Sequence, residues 1–215
     1  MDGLLKKTAI MAGITAFTYL VLFYFVDKPI DIYAHNYLSK TFLLPLGTYI
    51  SLLAKGDFVK LALASCFILI IVCDPGIKWR WTRYLLYICI TGSIAIIIGE
   101  GFKYLLGRYR PIMFFEHNLY GMHFFSSEWA LNSTPSGHTI RAFSLLTAAS
   151  LLYKRFTVVF IAIATVIGAS RVIVTAHYPS DVLFGAFIGI FTAAWTYKYF
   201  FLKTDTLERE TARPN

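Results

Sequence analysis

The 215-residue sequence is poor in charged residues, in acidic residues above all, and in cysteine. Only 15% of its residues are charged, against roughly 25% in an ordinary soluble domain. Hydrophobic residues make up 57% of the chain, which is more apolar surface than one water-soluble core of this size can bury. These proportions exclude a disordered chain and predict a membrane protein. The three cysteines stand in apolar runs without metal-ligand spacing, so they predict neither a disulfide framework nor a metal site.

Long hydrophobic runs take the place of the missing charge. A transmembrane helix needs about 20 predominantly apolar residues, and six runs approach that length, which predicts an all-α, polytopic membrane protein with six transmembrane helices. The six runs are Thr8–Val26, Phe58–Cys73, Tyr84–Leu106, Pro135–Tyr153, Phe156–Ala176 and Pro179–Phe201. A shorter run, Thr41–Ala54, contains a proline and a glycine and predicts a short interfacial helix instead of a span.

Basic residues predict the orientation, because the cytoplasmic loops of membrane proteins are enriched in Lys and Arg. We expect one six-span domain over residues 1–203 and a polar cytoplasmic tail over 204–215. With six spans, the N-terminus, the second-to-third connection, the fourth-to-fifth connection and the tail all lie on one side of the membrane. The basic residues of these four segments are Lys6, Lys7, Lys78, Arg80, Arg83, Lys154, Arg155, Lys203, Arg209 and Arg213. Both termini are therefore predicted to be cytoplasmic.

Cations also lie at or near the outward ends of spans, where the same rule predicts few, among them Lys103, Arg108, Arg110 and Arg171. Ionisable residues at membrane depth are costly and usually functional. Lys103 and Arg110 are seven residues apart, so they share a helical face if the third helix continues as far as Pro111. Two cations on one face suit an oligovalent anion, and arginine adds a planar fork that fits phosphate.

The fourth span opens with a sequence suited to an anion. Thr134 followed by Pro135 predicts an N-cap and a proline at the first helical position. The amides of Ser136, Gly137 and His138 would then point out of the helix start, where phosphate binds. Gly137 allows a close approach, the Ser136 hydroxyl can donate, and His138 lies where a proton donor is needed. The alternative interpretation is a plain helix cap with a surface histidine.

A second histidine stands between the fifth and sixth spans. Pro179 marks the start of the sixth helix, so His177 lies in a tight turn and Asp181 in the first helical turn. A carboxylate there can hold one ring nitrogen of His177 and make the other a better nucleophile. The alternative is a lone capped histidine. Six spans bring all three segments to one outer face, which predicts an anion site with a nucleophile and an acid.

These residues resemble the type 2 phosphatidic acid phosphatase family, also called the lipid phosphate phosphatases. The three motifs of that family, Lys-x6-Arg-Pro, Pro-Ser-Gly-His and Ser-Arg-x5-His-x3-Asp, match Lys103–Pro111, Pro135–His138 and Ser170–Asp181. The resemblance implies a bacterial inner-membrane phosphatase that works without metal or cofactor and forms a phosphohistidine intermediate. It also implies that the active site faces the periplasm.

Roles for single residues follow from this resemblance. By motif position, His177 is the nucleophile, Asp181 orients it, and His138 protonates the leaving oxygen. The phosphate-binding residues that it implies are Lys103, Arg110, Ser136, Gly137 and Arg171. Arg108, at a variable position of the first motif, is a candidate helper. Glu100 is not in the motifs and either pairs with Lys103 one turn away or faces a polar cavity.

The expected partners are the bilayer and a lipid phosphate, with no nucleic acid. Undecaprenyl diphosphate, phosphatidylglycerophosphate, phosphatidate and lipid A precursors are the candidate substrates. A phosphotransferase that passes the phosphate to another lipid fits the same residues, and a non-catalytic binder or transporter of lipid phosphates is the alternative from another class. The long aromatic segment Ile112–Thr134 either caps the site and selects the headgroup or forms an interfacial aromatic belt.

Overall fold

Helices account for all the regular secondary structure in residues 3–202, which are the residues that the computed structural model describes. The all-α prediction is confirmed for this part of the chain. The predicted tail, 204–215, lies outside the described residues, so the proposed domain limits stay a prediction. The helices are α1 (Gly3–Val21, continued by a π-helical turn at Leu22–Val26), α2 (Asp27–Asn36), α3 (Leu43–Leu52), α4 (Gly56–Cys73), α5 (Arg80–Leu106), α6 (Pro111–His117), α7 (Gly137–Leu152), α8 (Thr157–Ile173) and α9 (Pro179–Thr196, continued by a π-helical turn at Tyr197–Leu202).

Five helical segments of the described chain are long and apolar enough to cross a membrane, and they overlap five of the six predicted spans. The segments are Gly3–Lys40, Leu43–Cys73, Arg80–Leu106, Lys154–Ile173 and Pro179–Phe200. The remaining predicted span, the fourth, corresponds to α7, which has only 16 residues. At 1.5 Å per residue it is about 24 Å long, shorter than the roughly 30 Å of the hydrocarbon core. Ten of its 16 residues are buried, because α7 packs against α5, α8 and α9. It is therefore the central helix of the bundle and needs little lipid-facing surface.

Two short helices differ from a simple pattern of spans. The first helical segment starts at Gly3 and runs past the predicted end at Val26 into α2. The helix α3 occupies the predicted interfacial run and packs against α8. A side chain at Gly47 of α3 would lie 3.1 Å from a methyl group of Val174, just beyond the end of α8. Both short helices therefore lie at the end of the bundle where α5 and α8 finish and α7 and α9 begin, which we call the motif end.

Close contact between α7 and α9 brings the second and third motifs together. A Cβ at Gly189 would lie 2.7 Å from Cβ of Phe143 on α7, and one at Gly185 would lie 2.9 Å from the carbonyl oxygen of Ser136. Small residues four positions apart allow two helix backbones to approach this closely. The start of α7 is therefore held directly against the first turns of α9.

The opposite end of the bundle carries the basic connections. Asp74 Oδ2 accepts hydrogen bonds from the Trp79 amide and the Thr82 hydroxyl, both at 2.7 Å, and this caps the first turn of α5. The basic residues of the α4–α5 and α7–α8 connections are at this end, namely Lys78, Arg80, Arg83, Lys154 and Arg155. The two ends of the bundle are thus chemically distinct.

Candidate active site

The first motif turns sharply at the end of α5. Gly107 has φ +52° and donates its amide to the Lys103 carbonyl at 2.9 Å. A Cβ at Gly107 would lie 1.8 Å from the carbonyl oxygen of His123, so only glycine fits this C-terminal cap. The expectation that Lys103 and Arg110 share one helical face is wrong, because the helix ends at Leu106. The turn after α5, and not helical periodicity, returns Arg110 to the motif end.

The loop between α5 and α7 holds Arg110 in place. The Arg110 amide donates to the Ala130 carbonyl at 2.9 Å, and its Nε donates to the Trp129 carbonyl at 2.9 Å. The guanidinium also lies 4.4 Å from the centre of the Trp129 ring. The loop is thus a scaffold for the first motif, while it also exposes the rings of Phe124, Phe125 and Trp129. Capping and membrane anchoring both remain predictions for this loop.

The helix that carries the second motif begins two residues later than predicted. The Thr134–Pro135 peptide is cis and lies before the helix, whose N-cap is Ser136 and whose first residue is Gly137. The prediction of a Thr134 cap and a helical Pro135 is therefore wrong. The Ser136 amide donates to the Asp181 carbonyl at 3.1 Å, so it is committed to α9. The amides of Gly137 and His138 begin the helix, where they have no intrahelical partner.

Two cations lie beside Gly137. A Cβ there would lie 3.1 Å from Arg141 Nη1 and 3.2 Å from Lys103 Nζ. The predicted pairing of Lys103 with Glu100 is present, with a distance of 2.8 Å between Nζ and Oε1. Arg141 donates its Nε to the Ala54 carbonyl at 2.8 Å, which leaves the end of its guanidinium near Gly137. The sequence analysis missed Arg141, although a cation one turn inside an apolar helix was a usable signal.

Arg171 and Arg110 extend this group, which we call the cation cluster: Lys103, Arg110, Arg141 and Arg171. The Nε of Arg171 is buried without a hydrogen-bond partner in the described part of the chain. The charges of Arg171, Arg141 and Lys103 all interact electrostatically with His138. Burial lowers the pKa of Arg110 below its ordinary value, although the guanidinium stays charged. Four neighbouring cations form a strongly positive site suited to an anion with more than one negative charge.

His177 lies beside the cation cluster in the turn between α8 and α9, and it is only 3% exposed. Its Nδ1 is 2.8 Å from the carbonyl oxygen of Ser133 and 3.8 Å from Asp181 Oδ2. Because a carbonyl only accepts hydrogen bonds, Nδ1 carries the proton and Nε2 keeps its lone pair. Burial lowers the pKa of His177 to about 4, so the ring is neutral at pH 7.

The Asp181 carboxylate reaches His177 through Ser133. The Ser133 hydroxyl donates to Asp181 Oδ2 at 2.6 Å, and the Ser133 carbonyl accepts from His177. The Tyr178 amide donates to the same carboxylate oxygen at 2.9 Å. Sequence spacing suggested a direct bond between Asp181 and the ring, and it could not reveal Ser133, which belongs to no motif.

Behind His177 lies a buried ion network formed by Asp27, Arg108 and Asp181. Arg108 is 0% exposed, its Nη1 is 2.6 Å from Asp181 Oδ1, and its Nη2 is 2.7 Å from Asp27 Oδ2. Burial alone would lower the pKa of this guanidinium, but the nearby carboxylates hold it above its ordinary value. The predicted helper Arg108 therefore contacts two carboxylates. Sequence reasoning missed Asp27 because it lies 81 positions before Arg108, the residue of the first motif segment with which it pairs.

Residues 80–205 match the family model of the PAP2 superfamily. The chain belongs to the PAP2 superfamily. The matched segment contains all three motifs and every residue of the cation cluster. Asp27, α1 and the short helices α2 and α3 lie outside it. The family resemblance read from the motifs is therefore confirmed.

A curated PAP2-like relative is the lipid A 1-phosphatase of Rhizobium johnstonii, which is 37% identical over 111 residues. The match covers 50% of this chain and 46% of that protein, so this chain spans about half the length of the curated relatives that it matches first.

Two solved structures share the PAP2 fold with this chain. One is the PAP2-type phosphatidylglycerolphosphate phosphatase of Bacillus subtilis, with 16% identity and a TM-score of 0.59 over 90% of this chain and 95% of that one. The other is LpxE of Aquifex aeolicus, with 22% identity and a TM-score of 0.56 over 82% of this chain and 97% of that one. The likeness extends well beyond the motifs and includes most of the helical bundle.

Proposed function

We propose that this chain is an integral-membrane lipid phosphatase that hydrolyses a phosphate monoester or diphosphate on a lipid through a phosphohistidine intermediate. The observation that supports this most directly is the arrangement around His177. Its Nδ1 is occupied by the Ser133 carbonyl at 2.8 Å, which leaves Nε2 as a neutral nucleophile beside the cation cluster. The lipid A 1-phosphatase and phosphatidylglycerolphosphate phosphatase among its relatives act on substrates of this class.

In the first step, the Nε2 lone pair of His177 attacks phosphorus and the bond from phosphorus to the leaving oxygen breaks. His138 gives its proton to that oxygen. The proton on Nδ1 stays on the ring and remains hydrogen-bonded to the Ser133 carbonyl, and Asp181 at 3.8 Å stabilises the positive charge that develops on the ring. The products of this step are the dephosphorylated lipid and a phosphohistidine.

In the second step, neutral His138 takes a proton from water, and the water oxygen attacks phosphorus. The bond between phosphorus and Nε2 of His177 breaks, and inorganic phosphate leaves. His138 has then regained its proton and His177 its lone pair, so both histidines return to their starting state.

Throughout both steps the phosphoryl oxygens need positive charge and fixed donors. We assign this role to Lys103, Arg110 and Arg171, to the Ser136 hydroxyl and to the Gly137 amide. Arg141 joins them because its guanidinium lies beside Gly137. The reaction is proposed to need no metal, since these side chains supply the charge that a metal would otherwise bring.

The proposed orientation places the motif end at the periplasmic face of the inner membrane and both termini in the cytoplasm. The basic connections at the opposite end support it. In a cysteine-free background, a membrane-impermeant maleimide added to intact spheroplasts should label His117→Cys and leave Lys154→Cys unlabelled. Labelling of Lys154→Cys alone would reverse the orientation.

The test of the proposed function is release of inorganic phosphate by purified protein in detergent with EDTA. The panel contains undecaprenyl diphosphate, phosphatidylglycerophosphate, phosphatidate and lipid A. His177→Ala is the blank, and His117→Ala is the matched control because that histidine is well exposed on α6. We expect release by wild type and by the control, with one lipid preferred.

Detergent also separates the alternative functions. Transport has no meaning without a membrane, so phosphate release in micelles favours an enzyme over a transporter. A phosphotransferase would show little release with water alone and would form a new phospholipid once an acceptor lipid is added. Folded wild-type protein that releases no phosphate and makes no new lipid would overturn the proposed function.

A further inference from the structure

Asp27 is the first residue of α2 and lies far from the motifs in sequence. Its carboxylate is fully buried, and both oxygens are used. Oδ1 accepts from the Ser180 amide at 3.1 Å, and Oδ2 accepts from the Ser180 hydroxyl at 2.5 Å and from Arg108 Nη2 at 2.7 Å. Ser180 is the second residue of α9. Asp27 therefore caps the start of α9 from a different helix and at the same time pairs with Arg108.

A continuous chain of hydrogen bonds leads from Asp27 to the ring of His177. Arg108 Nη1 donates to Asp181 Oδ1 at 2.6 Å, Ser133 Oγ donates to Asp181 Oδ2 at 2.6 Å, and His177 Nδ1 bonds the Ser133 carbonyl at 2.8 Å. Asp27, Arg108, Ser133 and Asp181 are all 0% exposed. Water therefore does not screen these bonds, and a displacement at one of them is transmitted to the next.

The geometry of the guanidinium explains why Asp27 matters to Asp181. The two terminal nitrogens of Arg108 lie at fixed positions in one plane, and each is bonded to a different carboxylate. With Nη2 held by Asp27, Nη1 is directed toward Asp181 Oδ1 and the Ser180 hydroxyl, and Asp181 is its only charged partner in the described part of the chain. Without that anchor, Nη2 would keep only the Tyr120 hydroxyl at 3.0 Å, and the guanidinium would lose the buried carboxylate that fixes its rotation.

We propose that Asp27 is a positioning residue for the reaction, which acts through Arg108 and Asp181 to fix the ring of His177. This inference rests on the proposed phosphatase function. Asp27 touches neither the substrate nor the reacting atoms, so its loss should slow turnover without weakening substrate binding.

Asp31 provides a matched control one helical turn further along α2. It is also 0% exposed, but neither of its carboxyl oxygens has a hydrogen-bond partner within residues 3–202. The two carboxyls thus differ in hydrogen bonding to the network and not in burial or in helix, since Asp31 interacts with Asp27, Arg108 and Asp181 only electrostatically. Asp27→Asn and Asp31→Asn change the same atoms in the same helix.

The first experiment compares kcat, KM and the thermal midpoint of these two variants, using the preferred lipid phosphate in detergent. For Asp27→Asn we expect kcat to fall about 10- to 100-fold, the range of a lost charge-assisted hydrogen bond, while KM stays within about twofold. For Asp31→Asn we expect both constants within about twofold of wild type. Equal kcat in the two variants would overturn the proposal.

A double-mutant cycle separates positioning from general destabilisation. If Asp27 acts through Asp181, Asp27→Asn should lower kcat by less than about twofold in the Asp181→Asn background. Where that background is too slow to assay, Ser133→Ala replaces it, because it breaks the same chain one bond later. The same fold loss in all backgrounds would assign Asp27 a structural role only.

Two further controls keep the result interpretable. Where Asp27→Asn does not fold, Asp27→Glu keeps the charge and displaces the carboxylate by about one bond length, roughly 1.5 Å. A folded Asp27→Glu protein with wild-type kcat would overturn the proposal, and we expect at least a fivefold loss. Inactive wild type would refute the proposed function, whereas active wild type with an equally active Asp27→Asn variant would refute only this inference.

Discussion

Arg108 and Arg110 stand two residues apart and have opposite surroundings. The guanidinium of Arg108 is fully buried and bonds the carboxylates of Asp27 and Asp181 at 2.7 and 2.6 Å. The guanidinium of Arg110 donates to main-chain carbonyls and stacks on Trp129. In the part of the chain that the structure describes, no carboxylate lies within ion-pair distance of Arg110.

The difference separates two uses of the same side chain. A guanidinium that is already neutralised by two carboxylates has no capacity left for an anionic substrate, so Arg108 organises the site from behind. A guanidinium held only by carbonyls keeps its full positive charge for a ligand, so Arg110 belongs to the surface that we propose binds phosphate. His177 lies between the buried ion network and the cation cluster.

The largest expected effect comes from removing the group between these two regions. His177→Asn should lower kcat by about 10⁴-fold or more, because it removes the proposed nucleophile. Wild type quenched during turnover should carry a phosphoryl group that is stable in alkali and lost in acid, detected by intact-protein mass spectrometry. A variant that still becomes phosphorylated would place the nucleophile elsewhere.

Substituting each of the two arginines by glutamine should affect different properties, stability for Arg108 and kcat/KM for Arg110. Arg108→Gln leaves two buried carboxylates without their cation, so we expect it to reduce the free energy of unfolding by about 3–5 kcal/mol. Arg110→Gln should keep the thermal midpoint near that of wild type and lower kcat/KM by about 100-fold. Thermal unfolding in detergent and phosphate release measure the two effects. Matching stability losses would contradict the division between network and cluster.

Acidification should destabilise the folded protein through His177. The pKa of this ring is about 4 in the folded state, against 6.5 for an unperturbed histidine. Its contribution to stability is therefore complete above pH 6.5 and is lost as the pH falls toward 4, at about 1.4 kcal/mol per pH unit. The thermal midpoint of wild type should fall more than that of His177→Asn between pH 7.5 and 5. Parallel curves would mean that the ring is not buried in its neutral form.

A smaller effect is expected from Arg141, the cation that belongs to none of the three motifs. Its guanidinium lies near Gly137, so Arg141→Gln should raise KM for the lipid phosphate by about tenfold through a lost charge-assisted contact. Arg155→Gln is the matched control, because Arg155 lies in the connection at the opposite end of the bundle. An unchanged KM in Arg141→Gln would remove Arg141 from the phosphate-binding set.

The smallest expected effect is that of chelation. The cation cluster carries four positive charges at the proposed phosphate site, so treatment with EDTA should change kcat/KM by less than about twofold. Loss of activity that Mg²⁺ restores would show that a metal supplies charge in addition to these side chains. The Arg110→Gln variant sharpens the comparison, since rescue of that variant by Mg²⁺ would point in the same direction.

The sequence predicted which segments meet better than how they meet. Lys103, Gly137, His177 and Asp181 were placed at one end of the bundle because hydrophobic runs count the spans between them. The proposed helical face of Lys103 and Arg110 failed, since Gly107 ends α5 and turns the chain. Periodicity describes residues within one helix, and it carries no information on where a loop returns.

Partners on other elements were beyond sequence reasoning. Ser133 bonds His177 across 44 positions and Asp27 bonds Arg108 across 81. No spacing rule links positions so far apart, because their contact depends on how α1 and the loop pack against α9. Arg141 could have been predicted more readily, since it is a cation inside an apolar helix next to a motif.

The sequence by itself determined that the chain is a helical membrane protein, which family it belongs to and which motif residues gather at one end. These properties follow from hydropathy and from short local patterns, which need no knowledge of distant contacts. Only the tertiary structure decided which cations are neutralised, which stay available and what holds the ring of His177. Those outcomes depend on charges and hydrogen bonds between elements, and they exist only once α1, the α5–α7 loop, α7 and α9 have packed together.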